Sequence, residues 1–543
     1  MPRAFLPAVY PTGKAKVYSH FTDMNLQNCV PRELNNGEMG AVIRDQYDWI
    51  THEAASSADY GRGVISFDGE YDLYLETDTY YYDGGNQDLT ATSSPGYAGN
   101  TGFYTKYNAS FAEHSISGVN SLVIANAGHT STHASAKHGN LWYQSAASAA
   151  PASVSDADMP GNNGVSITRG VVSLDGYVFL CDINGQIHNS NINDITTWTA
   201  TDFLKASRRS DTGIYIGEHH DNVVYIGTKS IEFFYNAGNA SGSPLSRRTD
   251  VSYSVGCYYP NSIVEVGDII YFIGHDHAGW PRVYKLENFQ LTAISSNEVE
   301  VYLKDLNVLH PSITDLEPFK GNMWITPLPL ADSQGLALTW AAGRTFVWHE
   351  KTNLWNRWSC GIGSMTYGGV LGTNWLSVFP VVSFNGEAAR GSGAGRYQLA
   401  NGTVLQRKYN PTAATALIDL FETGQTAAAD VYINFARWDG GTREKKRINW
   451  VRIVHDPMVG TAATFTPFPV DVRWLDFRRV QASAPTVPGS YTTGRSVELN
   501  TDGGRLPRQG ICRQRQYLLD FTTGWGEIAP IQGLLIDYDI VGV

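Results

Sequence analysis

The sequence predicts an all-β protein, a β-propeller followed by a C-terminal β-sandwich-like domain, and three observations carry that expectation. The first is composition. Of 543 residues 42% are apolar and only 17% charged, with 54 Gly, 30 Tyr, 21 Phe and 14 Trp, the balance of many short strands joined by tight turns. The second is local pattern: Asn222-Val223-Val224-Tyr225-Ile226-Gly227 and Asp268-Ile269-Ile270-Tyr271-Phe272-Ile273-Gly274 are short, β-branched or aromatic runs bounded by Gly, Asn or Asp. The third is a loose recurrence between residues 118 and 400 of an apolar strand, a polar turn, an aromatic strand and an irregular loop. Its first strands start roughly 35 to 55 residues apart, which overlaps the period of propeller blades.

Residues 1–117 read as an N-terminal segment contributing to the propeller or its platform. Within it, the Tyr/Gly/Asp-rich stretch at 59–107, with Tyr80-Tyr81-Tyr82 followed by Asp83-Gly84-Gly85, reads as an insertion, a hairpin with a long polar excursion. Residues 118–410 form the propeller body. Its paired strands include Ser121 to Ala125 with Leu141-Trp142-Tyr143, Tyr177 to Leu180 with Trp198, and Gly213 to Ile216 with Phe233-Phe234-Tyr235. Ile269 to Gly274 with Val283-Tyr284 and Met323-Trp324-Ile325 with Phe346-Val347-Trp348 continue the series. A small sheet of this kind cannot bury both faces alone, and radial stacking does so at about 25 cal/mol per Å² of apolar surface. The competing architecture is a pair of β-sandwiches with chance spacing. Ser145 to Gly164 is a surface loop by composition, and Val299, Tyr302, Leu303 and Leu306 predict a short helix over 297–306. From 411 to 543 the strands alternate, as in Ile448 to His455 and Val470 to Trp474, with one buried and one wet face, which suits a β-sandwich.

Charge and cysteine content narrow the function. The formal charge is −12, and residues 411–543 hold 14 basic and 14 acidic groups, so the whole excess lies in residues 1–410, with 26 basic against 38 acidic. Such a surface repels DNA. Five scattered cysteines without a CxxC spacing argue against a disulfide framework or a zinc ribbon. The N-terminus lacks a signal-peptide h-region, and no run of about 18 apolar residues occurs, so no membrane span is expected.

No catalytic, cofactor-binding or metal-binding residue is assigned, and the chain is expected not to be an enzyme. It has no GxSxG elbow, Walker A loop, HExxH motif or dinucleotide fingerprint. His219-His220 beside Glu218 and Asp221, and His275-Asp276-His277, fall where turns are expected and read as solvated turn histidines rather than metal ligands; the same holds for His129, His133 and His138. Ser190 to Trp198 is similar to the Asp-box turns of sialidases but lacks their glycine and occurs once. The alternative function is therefore a glycan-binding propeller or a sialidase-like glycosidase, which needs an arginine cluster, a Tyr nucleophile and a carboxylate converging on the axis. The basic run Arg443-Glu444-Lys445-Lys446-Arg447 and the group Arg505, Arg508, Arg513 and Arg515 read as a solvated face or a subunit contact.

The stretch from Val178 to Glu300 resembles the tail hub, or packaged-DNA stabilisation, proteins of short-tailed bacteriophages. The residues that carry it are Ser190-Asn191 with Asn193-Asp194 and Trp198, then Asn222 to Gly227, then Ser230-Ile231-Glu232-Phe233-Phe234-Tyr235-Asn236-Ala237-Gly238. Pro244 to Arg248, Val255-Gly256-Cys257, Tyr271 to Gly274, Arg282 to Lys285 and Ala293-Ile294-Ser295 continue it, and residues 170–410 are covered best. The resemblance implies a β-propeller of about six blades with an added β-sandwich, and a structural virion protein, a tail hub or nozzle below the portal-adaptor complex that retains packaged DNA and forms the channel for its ejection. It also implies a homo-hexamer ring, contact with the portal-adaptor protein and with a tail fibre, spike or needle, and passage of genomic DNA without sequence-specific binding. The expected location is the virion tail, after synthesis in the host bacterial cytoplasm. No cofactor is implied.

Overall fold

The computed structural model describes residues 3–8, the strands between 26 and 53, and residues 61–88, 108–127, 139–308, 323–358, 396–409, 432–455, 468–477, 493–499, 504–521 and 531–541, with short breaks in several spans. His129, His133, His138 and His277 lie outside them.

Among the described residues the middle of the chain is a succession of small antiparallel sheets. Each of the first four runs in simple chain order: residues 61–88, 110–153, 172–205 and 213–253, here blades one to four. Blade five spans 256–293, with Gly256–Cys257 and Val264–Val266 both paired to Ile269–His275. Blade six is 323–358. A seventh sheet joins Arg396–Gln398 and Val404–Tyr409 to Tyr47–Glu53, so a strand from early in the chain completes the last sheet, which lies beside Gly61–Phe67 of blade one. The Tyr-rich stretch expected to leave the body as a hairpin is instead blade one as far as Asp88, a four-stranded sheet with Leu73 and Tyr80 fully buried.

Alternation along single strands shows why the blades stack. On Asn222–Gly227, Val223 and Tyr225 pack with Phe179 and Ile187 of blade three, while Val224 and Ile226 pack with Ile270 and Phe272 of blade five. On Ile269–His275, Phe272 faces blade four, and Tyr271 and Ile273 face Ile325, Leu336 and Phe346 of blade six. Both sheet faces are dry, so the strands read as apolar runs rather than alternating ones. Residues 145–164, expected as a surface loop, carry Val154 and Met159 inward to Trp198 and Val178. The helix Asn297–Val308 follows blade five and buries Val299 and Leu303 against blade six.

Two further sheets share one core near the chain's end. One holds Cys29–Glu33, Met39–Ile43, Ile531–Val541, Lys445–His455 and Arg505–Cys512, with Arg3–Pro7 on Ile531–Val541. The other continues blade six: Leu26–Gln27 pairs with Leu354–Trp358 and with Tyr432–Asn434, followed by Gln514–Asp520, Phe468–Phe477 and Thr493–Leu499. Between them lie Leu6, Ile433, Ile448, Val451, Val472, Tyr517, Leu534 and Ile536. This sandwich draws strands from both ends of the chain. No helix among the described residues is long and apolar enough to cross a membrane.

Candidate functional site

Two-residue turns join the first two strands of blades three and four, and Val264–Val266 to Ile269–His275 in blade five, and at each the residue chemistry follows the backbone. Asp175 and Gly176 have φ of 51° and 83°, His220 and Asp221 48° and 56°, and Gly267 57°. Positive φ at successive positions matches the twist of a tight hairpin and favours Gly, Asn and Asp. The consequence is electrostatic. Asp175, Glu218, Asp221 and Asp268 are all exposed on this one rim, and Glu218 is held above the usual carboxylate range by desolvation and by the charges of Asp221, Asp268 and Asp175.

Behind the rim the ring is filled. The short helical turn Pro260–Ser262 of blade five is buried, and Asn261 Oδ1 accepts from the backbone N–H of Asn108 at the start of blade two at 2.9 Å. The Arg169 guanidinium, at the entry to blade three, donates to the carbonyls of Pro260 and of Ile263, the latter at 2.7 Å, and lies 5.7 Å from the Tyr215 ring centroid. A segment of blade five that touches blades two, three and six crosses the middle of the ring. Tyr215 of blade four donates to Glu265 Oε1 at 2.8 Å, and the Glu218 backbone N–H donates to the same oxygen at 3.1 Å. Glu265 is an exposed residue, yet its carboxyl takes these two hydrogen bonds and is desolvated, and the desolvation pushes it up to about 7. The guanidinium is committed to two main-chain carbonyls and an aromatic face, which is a structural use of an axial arginine.

The histidine turns differ from their expected environment. His219 does stand at a turn but is buried rather than solvated: its Nε2 accepts from the Phe289 N–H at 3.1 Å, and its ring meets Phe289 edge-on at 4.9 Å. Desolvation, then His220, keeps it below the ordinary imidazole value. His275 is buried at a strand end beside the Gly279 carbonyl. No group of three or more His, Cys, Asp or Glu side chains suited to a metal ion occurs among the described residues.

The segment similar to an Asp box is a hairpin between Gln186–Asn191 and Asp194–Lys205. Its Asp194 carboxylate accepts from Thr196 N, Thr196 Oγ1 and Thr197 Oγ1 at 2.9, 2.6 and 2.7 Å, which lowers its pKa. Trp198 is buried, donating from Nε1 to Ile195 O at 2.8 Å. The turn is spent on holding blade three together.

Two members of the basic groups contradict the expectation of a solvated face. Arg515 is 1% exposed, forked onto Asp476 at 2.5 and 2.8 Å and donating to Gln509 O at 2.8 Å. Lys446 is fully buried, its Nζ on the carbonyls of Glu444 and Arg513 at 2.8 and 3.1 Å. The physical reason is phase: Lys446 and Ile448 point the same way along their strand, into the sandwich. That phase was the available signal.

With this geometry in view, comparison with known proteins is informative on one count. Residues 113–322 match the family model for phage stabilisation proteins described as the β-propeller of bacteriophage P22 Gp10, from blade two through blade five and the following helix. The match bears out the similarity to phage tail proteins seen in the sequence, and the β-propeller is the fold observed. No curated protein sequence matches the chain. Among solved structures, BamB from Moraxella catarrhalis is 9% identical with a TM-score of 0.34, covering 67% of this chain and 100% of that one. An ancestral GH74 enzyme is 11% identical with a TM-score of 0.37, covering 70% and 51%. The computationally designed Ika8 protein is 10% identical with a TM-score of 0.30, covering 65% and 96%. None of these three bears on function.

Proposed function

We propose that this chain, whose residues 113–322 match the Gp10 β-propeller, is a structural protein of a short-tailed phage virion that builds the tail hub or nozzle below the portal-adaptor complex. That match is the observation that carries the reading. In it, copies close into a hexameric ring, retain packaged DNA and enclose the passage for its ejection, with the portal-adaptor protein above and a fibre, spike or needle as further partners. The protein works without catalysis, and is made in the host cytoplasm before assembly into the tail.

Two physical features support this reading. The middle of the individual propeller is occupied by Pro260–Ile263 and Arg169, so the genome's passage runs between copies, not through one. The acidic excess of residues 1–410 repels phosphate, letting DNA slide without sticking. A cyclic ring needs only heterologous contacts whose rotation closes.

The test is native mass measurement and imaging of the chain alone and with its adaptor. A closed ring with an open axial passage is expected, and charge-reversing Asp and Glu on that passage slows DNA ejection. A particle that stays single with the adaptor present, and that cleaves or binds a sugar, replaces this reading with the glycan one.

A further inference from the structure

The outer face of the sandwich sheet built on Ile531–Val541 carries a pattern at odds with the chain's acidity. Register puts Arg3 and Phe5 opposite Asp537 and Leu535, Trp450 and Arg452 on the other side of the same two residues, and Arg505 opposite Arg452. Their strands bury the alternate residues Leu6, Val451, Leu506 and Ile536, so this set faces outward. Phe5 is 47% exposed and Arg3, Arg452 and Arg505 are exposed. The Arg3 and Arg505 guanidinium carbons lie 5.5 and 4.7 Å from the Trp450 ring centroid, Arg505 on the adjacent strand and Arg3 beyond Ile531–Val541. Arg3 also approaches Asp537 at 3.7 Å.

This composition has two consequences. Trp, Phe and Arg on one face are the residue types that dominate interface energetics. Arg3, Arg452 and Arg505, gathered on this one face, also give it a local positive charge that an acidic surface complements. Such a surface exists on the same chain. The rim of blades three to five exposes Asp175, Glu218, Asp221 and Asp268, crowded enough to raise Glu218.

We infer that the arginine and tryptophan face of the sandwich is the docking surface for the acidic propeller rim of a second copy of this chain. The contact is heterologous, one face on each copy, the kind that propagates around a ring. It deepens the hub reading and rests on it.

Two charge-reversed proteins test it: Arg452→Glu/Arg505→Glu on the sandwich, and Glu218→Lys/Asp268→Lys on the rim. Far-ultraviolet circular dichroism and unfolding midpoint confirm that each folds as the wild type does. Sedimentation velocity at about 0.1 M salt is expected to show each variant associating at least tenfold more weakly than the wild type, with Arg452→Lys/Arg505→Lys retaining assembly. An equimolar mixture regains the ring, since alternate copies then meet through Glu on Lys and Arg on acid. Undiminished assembly of either variant, or no recovery on mixing, overturns the contact while leaving the hub reading intact. A wild type that stays monomeric without its adaptor overturns the contact too, and the hub reading then falls only if the adaptor fails to assemble it.

Discussion

Phe272 and Ile273 are neighbours on one strand, fully buried, and packed toward different blades, so truncating them probes the order of stacking. Phe272 belongs with Val224 and Phe233 of blade four, and Ile273 with Leu336 and Phe346 of blade six. Removing a buried ring costs about 3–5 kcal/mol and a buried Leu or Ile about 2–5, against roughly 5–15 for a whole domain. Phe272→Ala combined with Phe233→Ala enlarges one shared cavity, so the pair departs from additivity by about 0.5–3 kcal/mol. Phe272→Ala combined with Leu336→Ala opens two cavities on opposite faces of the sheet and adds to within about 0.5 kcal/mol. Urea unfolding followed by tryptophan fluorescence gives the energies, with an unchanged m-value as the condition for comparing them. Hydrogen exchange on blade-four and blade-six peptides locates the loss. Additivity with Phe233 together with strong coupling to Leu336 refutes radial stacking in this order.

Other expectations follow from single sites. Glu265 carries a folded pKa raised from the ordinary glutamate value to about 7, so the folded state holds its proton more tightly than the unfolded state does. Its contribution is complete below about pH 4.5 and is lost as pH rises through 7; Glu265→Gln flattens that part of the Tm-versus-pH curve, and an unaltered slope contradicts the assignment. Gly170, at φ +105°, would place a Cβ 1.8 Å from the Ile216 carbonyl oxygen of blade four, whereas Gly238, at +64°, has open space. Gly170→Ala therefore lowers Tm by several degrees more than Gly238→Ala, which costs about 1–2 kcal/mol of left-handed strain. Arg515→Ala leaves the Gln509 carbonyl without its donor while the exposed Asp476 returns to water, and costs about 1–3 kcal/mol in unfolding experiments; a loss well under 1 kcal/mol means that the fork does not stabilise the sandwich.

What the sequence disclosed was decided by how local each cause is. Blades four and five were legible because both faces of Asn222–Gly227 and Ile269–His275 are dry, leaving a short apolar run between turn residues. Blade one was not, because its buried positions, Val64, Phe67, Leu73 and Tyr80, are scattered singly among polar residues and form no apolar run. Tyr80 is buried only by giving its hydroxyl to Gln144 Oε1 of blade two at 2.8 Å, a partner 64 residues away. The pairing of Arg3 with Asp537 spans nearly the whole chain and that of Tyr47–Glu53 with Val404–Tyr409 about two thirds of it, and no local periodicity encodes them. The burial of Arg515 was invisible for the same reason: its fork needs Asp476 from the neighbouring strand, and sequence shows only a basic cluster. The acidic rim was half visible. Aspartates at turns were expected, but their gathering at one end follows only once successive blades are stacked.

The long pairings also settle how the two modules share load. Leu26–Gln27 runs parallel to Leu354–Trp358 and antiparallel to Tyr432–Asn434, so a backbone ladder leads from blade six into the sandwich, and Leu354 buries its side chain in the sandwich core. A flexible linker would let the modules swing, whereas a continuous sheet transmits displacement through main-chain hydrogen bonds and packed side chains. The sheet seven strand Tyr47–Glu53 follows these N-terminal strands in the chain, so the same short stretch of polypeptide ties both the sandwich and the closing sheet. If copies join from sandwich to propeller rim as inferred above, a push on one copy reaches the next contact through ordered sheet rather than through loops.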